Sequence, residues 1–337
     1  MRSRRSPIST RRTSPAEAMP RGGGHKVCVY LDPRLGAYGF GQGHPFGTDR
    51  YARFEQAFND SGLRACAAVT EGRTATAEDL ERFHSPAYVE RLAAASAAGT
   101  GFLDAGDTPA FPGVYEASLT VVGCVLDAAE RIMSGACRRA FVPIAGLHHA
   151  TRDSAEGFCA VNDCALLIEH LRRVHGLERI AYVDIDAHHG DGVFYAFEDD
   201  PAVIHVDFHE DGDFLYPGTG RIGETGEGRA KGRKLNVPLP PGADDALFAR
   251  LWPRAEMLLE RHAPQFFILQ AGADGLAGDP LTDLELSEHT HARVTRALCT
   301  LAERYAEGRV LALGGGGYNR DNLARAWCAV VAALAEA

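Results

Sequence analysis

Midway along the chain, Ile180-Ala181-Tyr182-Val183 runs into Asp184-Ile185-Asp186-Ala187-His188-His189-Gly190-Asp191, which sets two carboxylates and an imidazole at every second position. Side chains on a strand alternate faces, so Asp184, Asp186 and His188 are expected to leave one side at the end of a buried strand. An unpaired buried carboxylate is strongly destabilising, so such a cluster calls for a cation or a dense hydrogen-bond network. Farther along, the apolar run 266–270 leads into Ala271-Gly272-Ala273-Asp274-Gly275, where Asp274 could supply a third ligand. Two aspartates and one histidine leave an open coordination position, as in a catalytic rather than a structural divalent site. Such ligation suits zinc, with iron(II) and manganese as rivals.

Two further motifs come after apolar runs. After 140–144 come Leu147-His148-His149 and then Glu156-Gly157-Phe158-Cys159. Adjacent histidines at a strand end suit proton transfer, since imidazole titrates near neutrality and a neighbouring carboxylate tunes it. The run 310–313 ends in Gly314-Gly315-Gly316-Gly317-Tyr318. Four glycines let the backbone approach closely and swing in a tyrosine, a candidate donor to developing negative charge. A phosphate loop is the competing reading, but the glycines lead into no Lys-Ser or Lys-Thr. Gly218-Thr219-Gly220-Arg221-Ile222-Gly223 fits the dinucleotide pattern GxGxxG, yet the adjoining Glu224-Thr225-Gly226-Glu227-Gly228 is too acidic and glycine-rich to open a helix.

The elements that must position these residues alternate along the chain. Strands are expected at 27–31, 140–144, 180–186, 203–208, 266–270 and 310–313, with helices at 49–60, 86–98, 114–134, 163–175, 244–262, 287–306 and 322–335. This is the pattern of a three-layer α/β/α fold around a mostly parallel sheet, whose ligands bind beyond the carboxyl ends of the strands. One domain over 25–337 is expected, preceded by a disordered basic tail over 1–24. Residues 1–21 hold six arginines against Glu17, so the body is more acidic than the whole-chain charge of −10. An acidic body disfavours nucleic acid and attracts cationic substrates. Eight cysteines without a paired CxxC suggest neither a disulfide framework nor a thiolate zinc site. Lacking a secretory leader or a membrane-length apolar run, the protein is expected in the cytoplasm. Oligomeric state is not legible.

Taken together and in this order, Leu147-His148-His149, Gly157-Phe158-Cys159, the Asp184–Asp191 segment, Gly272-Ala273-Asp274 and Gly314–Tyr318 resemble the histone deacetylase superfamily, and within it the bacterial acetoin-utilisation type. Gly43-His44-Pro45-Phe46, Tyr216-Pro217-Gly218-Thr219-Gly220 and Leu235-Asn236-Val237-Pro238 support the likeness, which spans roughly residues 30–335. It implies a deacetylase fold of the arginase type and a zinc-dependent amidohydrolase that removes acetyl or related acyl groups from lysine side chains of proteins or peptides. One zinc per chain would sit on Asp186, His188 and Asp274. His149 would be general base and then acid, His148 its electrostatic partner, Asp184 and Asp191 their orienting carboxylates, and Tyr318 the oxyanion donor. Gly157, Phe158 and Tyr216 would wall an acyl-lysine tunnel with Asp107 on its rim, and a structural potassium would lie deeper.

At that inner potassium site Asp207 stands where the family commonly carries serine. Glu210, Asp211 and Asp213 would attract acylated small amines such as acetylpolyamines, but Leu281, just after Asp279-Pro280, is apolar where polyamine-selective relatives can carry an acidic gate. A dinuclear ureohydrolase is disfavoured because Gly190 and Leu276 occupy positions where that family carries aspartates. A catalytically silent acyl-lysine-binding regulatory protein would be expected to have lost at least one of these residues, and none is missing.

Overall fold

The computed structural model describes residues 27–336 apart from residue 42; the basic tail expected over 1–24 lies outside them. In chain order the elements are β1 (Val27–Tyr30), α1 (Asp49–Asp60), β2 (Ala68–Thr70), α2 (Ala77–Leu80), α3 (Pro86–Ala98), α4 (Val114–Met133), β3 (Arg139–Val142) and α5 (Asp163–Arg173). Next come β4 (Ile180–Asp184), α6 (Asp191–Ala196), β5 (Val203–Glu210), β6 (Lys234–Leu239), α7 (Asp245–Leu251), α8 (Pro253–His262), β7 (Phe266–Gln270), α9 (Glu288–Tyr305), β8 (Val310–Leu313) and α10 (Arg320–Glu336). The strands form one sheet in the order β2-β1-β3-β8-β7-β4-β5-β6, every neighbouring pair parallel.

Each expected apolar run became a strand, because a parallel sheet covered on both faces demands continuous burial. In β4, β7 and β8 every residue is buried. One set of helices packs in succession as α1, α10, α9 and α8, the other as α3, α4, α5 and α6. The result is the three-layer α/β/α fold.

The two strands that composition did not announce are the sheet's edges. β2 has three residues and exposes Val69, and β6 contains Pro238, which cannot donate to a ladder. The expected helix over 244–262 is two. Asp244 caps α7 by accepting from Leu247 N, and Pro253 lacks the N–H needed to continue through Trp252, so α8 starts afresh there.

The alternation of parallel strand and helix brings all strand ends of one polarity to one side. There Asp184 closes β4, level with Asp207 of β5 and Gln270 of β7.

Candidate active site

β4 ends at Asp184, so the regular strand stops before the other two residues of the period-two series. Asp186 and His188 leave from the loop beyond it, and Asp184 turns to a different partner. The donor atoms of Asp186, His188 and Asp274 lie within 4.8 Å of one another. All three residues are buried. His188 Nδ1 is 3.0 Å from Asp186 Oδ1 and 3.2 Å from Asp274 Oδ2. The remaining carboxylate capacity is fixed by the protein: Gln270 Nε2 and Gly316 N donate to Asp186 Oδ2 at 2.8 Å each, and Ala187 N donates to Asp274 Oδ1 at 2.9 Å. Burial disfavours a charged His188, but the hydrogen bonds to Asp186 and Asp274 raise it to about 10. Burial and the neighbouring Asp186 push Asp274 up to about 7. Two buried carboxylates converging on one imidazole thus retain a proton where a cation would satisfy them, and the donor set fits a divalent ion.

Beside this trio stand two imidazole–carboxylate pairs. His148 Nδ1 is 2.8 Å from Asp184 Oδ2, and His149 Nδ1 is 2.7 Å from Asp191 Oδ1. The two Nε2 atoms face each other at 3.1 Å. Burial lowers His149, and the neighbouring His148 adds to the effect against the opposing Asp191. Burial raises Asp184 well above the carboxylate range, with Asp207 and Asp186 adding to it. The backbone that aims the pair is held from α5: Asp163 accepts from Gly146 N at 2.9 Å and Leu147 N at 3.1 Å, while Asn162 Nδ2 donates to the carbonyls of His148 and Ala150.

A small cavity is lined in part by His148, His149, Gly157, His188, Gly316 and Tyr318. Tyr318 swings in as expected, its N–H fixed by Asp279 Oδ2 at 2.8 Å and its ring 5.9 Å from Phe158. Phe158 has φ 67°, a left-handed conformation costly for a bulky residue. It is held there because its carbonyl accepts from Tyr38 Oη at 2.9 Å and its N–H donates to Thr108 Oγ1 at 3.0 Å. At position 157 a Cβ would lie 2.6 Å from His149 Cδ2 and 3.0 Å from Tyr216 Cε1, so glycine is required between those rings. The Tyr216 ring meets His149 edge-on at 5.2 Å.

Two expected residues stand outside this contact set. Asp107 is exposed in the loop that holds Phe158, and its carbonyl lies 3.1 Å from His44 Nε2. Leu281 is 38% exposed and shares a partner with Tyr318: Asp279 accepts from Leu281 N at 3.0 Å and from Tyr318 N at 2.8 Å.

Gln270, Asp279 and Arg50 were not singled out from sequence. Gln270 closes a strand directly before the Gly272-Ala273-Asp274 motif, a signal that could have found it. Arg50 carried none, because arginine in a first helical turn reads as solvated. It is instead fully buried behind the glycine run, donating to Gly317 O at 3.0 Å and Gly315 O at 2.6 Å with its guanidinium 3.9 Å from the Phe46 ring centroid. A second ligand-type group, Glu130, His170 and His175, ties α4 to the end of α5. Both imidazoles point at one Glu130 oxygen, at 2.6 and 2.9 Å, and Arg82 donates to His170 Nδ1 at 2.5 Å, so a hydrogen-bond chain through a neutral His170 accounts for it.

In sequence, the match to the histone deacetylase domain runs over residues 44–334. The chain belongs to the histone deacetylase family. Histone deacetylase 6 of Arabidopsis thaliana is 37% identical over 320 residues, covering 92% of this chain and 66% of that protein. The acetoin utilization protein AcuC of Bacillus subtilis is 35% identical over 316 residues, 90% of this chain and 80% of its own. The chain spans 59–71% of the length of the plant histone deacetylases it matches. In structure, the crystal structure of the HDA15 HD domain superposes with a TM-score of 0.84 at 25% identity, covering 92% of this chain and 90% of that one. The deacetylase family fold therefore accounts for the sheet order and for the strand ends at which the motifs cluster.

Proposed function

We propose that this family member is a zinc-dependent amidohydrolase that removes acetyl, or a related acyl group, from lysine side chains of proteins or peptides. One observation carries the reading: Asp186 and His188 of the Asp-His-Asp trio, two carboxylate-backed imidazoles and Tyr318 line one small cavity.

Asp186, His188 and Asp274 would hold one zinc, which when bound polarises an amide carbonyl and a water. His149, kept neutral by burial, is poised to accept the water's proton at Nε2 and return it to the departing lysine amine. Asp191 fixes the tautomer by taking its Nδ1–H. His148, backed by Asp184, supplies electrostatic support through the facing Nε2. Burial, with Asp274 and Asp186 adding to it, keeps the Tyr318 phenol well above its ordinary pKa, so it stays a donor to the tetrahedral oxyanion. Gly157, Phe158 and Tyr216 would hold the lysine stem, and Asp107 would meet the substrate backbone at the rim. For potassium, Asp184 accepts from Tyr182 Oη, His148 Nδ1 and Asp186 N, and Asp207 accepts from His209 Nδ1, Gly190 N and His205 Nε2. Carboxylates so fully engaged leave few lone pairs for a further cation, and we expect weak potassium binding.

Polyamines fare worse in three dimensions than in sequence. Glu210 is buried and accepts from Asp283 N at 2.8 Å, and Asp213 pairs with Arg221 at 3.1 Å, so two of the three acids before Tyr216 are engaged. The test is hydrolysis of an acetyl-lysine peptide before and after exhaustive chelation, with zinc and iron(II) each added back. Full activity without metal would overturn the reading.

A further inference from the structure

Asp207, the residue that departs from the family's serine, is fully buried in β5 level with Asp184. Its two oxygens have separate duties. Oδ1 lies 2.6 Å from His209 Nδ1, and His209 Nε2 lies 2.9 Å from the carbonyl oxygen of Gly220. A carbonyl only accepts, and an ionised carboxylate only accepts, so His209 must offer a hydrogen from each nitrogen as an imidazolium. The other oxygen, Oδ2, accepts from Gly190 N at 3.0 Å, with His205 Nε2 farther off at 3.4 Å. Gly190 immediately precedes α6, whose first residue is Asp191, the partner of His149.

The far end of the first tie is the turn just after Tyr216. A Cβ at Gly220 would lie 2.5 Å from His209 Nε2 and 2.7 Å from His189 Cγ, so the turn rests directly on two imidazoles. His189 adds its own tie, Nδ1 to Thr219 Oγ1 at 2.8 Å. Tyr216 precedes this turn and packs edge-on against the His149 ring, whose Nδ1 is held by Asp191.

We propose that Asp207 is a positioning residue: one oxygen, through His209, fixes the turn that carries Tyr216, and the other fixes the backbone that carries Asp191, so that together they set the width of the slot beside His149. This rests on the acyl-lysine reading of the site. Serine has one oxygen on a shorter arm and cannot hold both ties. Asparagine has the right shape but only one accepting oxygen, so with that oxygen kept on Gly190 N its amide NH2 faces His209, which can answer only by giving up its Nδ1 proton and accepting as a neutral imidazole. Asp207→Asn therefore turns the charge-assisted tie to His209 into a weaker neutral one, by chemistry rather than by size.

Two measurements test this on the metal-loaded protein. Long-range proton–nitrogen NMR should show both His209 nitrogens protonated in the wild type and one bare nitrogen in Asp207→Asn; a bare nitrogen in the wild type overturns the proposal. In kinetics, Asp207→Asn should raise KM for an acetyl-lysine peptide about tenfold, the scale of exchanging a hydrogen bond between charged groups for a neutral one, with kcat within about threefold. Discrimination between acetyl and butyryl peptides should shrink in step. A fall in kcat at unchanged KM and unchanged selectivity would instead make Asp207 part of the chemistry or of general stability, and the proposal fails. Should the asparagine variant not fold, Gly220→Ala, which pushes the turn off both imidazoles, must give the same KM and selectivity shift. Absence of any acyl-lysine turnover in the wild type would remove the proposed function, while the His209 spectrum would still decide the hydrogen-bond hub.

Discussion

Tyr318→Phe isolates a single interaction, because of how the residue is held. Its backbone N–H is anchored to Asp279, its ring packs edge-on to Phe158 at 5.9 Å and His188 at 6.4 Å, and its hydroxyl has no hydrogen-bond partner among the described residues. Deleting the oxygen keeps the ring contacts and orphans no protein group, so the fold should lose no more than about 0.5 kcal/mol. The phenol's raised pKa means that the hydroxyl is intact through the working range, so the loss should not vary with pH. What disappears is one donor to the tetrahedral oxyanion, worth about 100-fold to 1000-fold in kcat, or about 2.7–4 kcal/mol. The assay is steady-state hydrolysis of a fluorogenic acetyl-lysine peptide from pH 6 to 9 (roughly the span over which an unperturbed tyrosine stays protonated), with metal content measured on the same samples. We expect the full loss in kcat, KM within about threefold, and unchanged metal. A variant within twofold of wild type would assign the oxyanion to another donor, and a loss that tracks missing metal would make Tyr318 a structural support of the trio.

Exhaustive dialysis against a chelator should abolish turnover, one equivalent of zinc should restore it, and Asp186→Ala or Asp274→Ala should lose metal and activity together; two tightly bound metals per active chain would contradict the single trio. An acetyl-lysine peptide should exceed N-acetylputrescine and N8-acetylspermidine in kcat/KM by roughly tenfold, or about 1.4 kcal/mol, and Leu281→Glu should narrow or reverse that ratio. Equal wild-type turnover of the polyamines would shift specificity from the apolar wall to the acidic mouth. Burial opposes ionisation of Glu130, but His170 and His175 lower its pKa below the ordinary carboxylate value. Its contribution to stability is therefore present above the unfolded value of about 4.3 and lost as pH falls through the folded one, so Glu130→Gln should flatten the acid side of the melting profile; an unchanged profile would show the pairing to be energetically silent.

The sequence disclosed what periodicity and residue chemistry encode locally, and missed what only neighbours decide. β7 and β8 lie where their apolar runs end, because central parallel strands are buried on both faces and tolerate no polar interruption. α1 and α3 match to the residue, the second with Ser85 capping and Pro86 at its first position. β2 and β6 escaped because edge strands need no continuous apolar run. α6 escaped because six residues are too few to show a helical period. Within the site, ligand-type residues after strands were visible, whereas the separation of Asp184 from the Asp186–His188–Asp274 trio was not. Alternation on a strand assigns a face; the turn after Asp184 breaks that alternation and hands its carboxylate to His148. Arg50 and Asp279 act through backbone carbonyls and N–H groups that come from distant segments, and no local pattern announces such a partner.

The glycines around the trio explain why so many polar groups can be packed without strain among the ligands themselves. A Cβ at Gly272 would collide with the Asp186 carboxylate and one at Gly316 with those of Asp274 and Asp186, and at Gly190 it would lie 2.7 Å from Asp184 Oδ2 and 3.1 Å from His148 Nδ1. Backbone rather than side chain therefore forms the walls against which the ligands rest, and it also supplies N–H donors, as Gly316 N does to Asp186 and Gly190 N to Asp207. A wall of this kind holds carboxylates close while satisfying them, which side-chain packing could not do, since a methyl group at the same place offers no hydrogen bond. The sheet contributes the rest: Asp184, Asp207 and Gln270 start from adjacent strands at one level, so their separation is set by the ladder and not by flexible loops. The glycine-rich motifs and the Asp-His-Asp motifs are thus one device, and an alanine at Gly272 would push the Asp186 carboxylate out of the trio without touching any of its three members' identities.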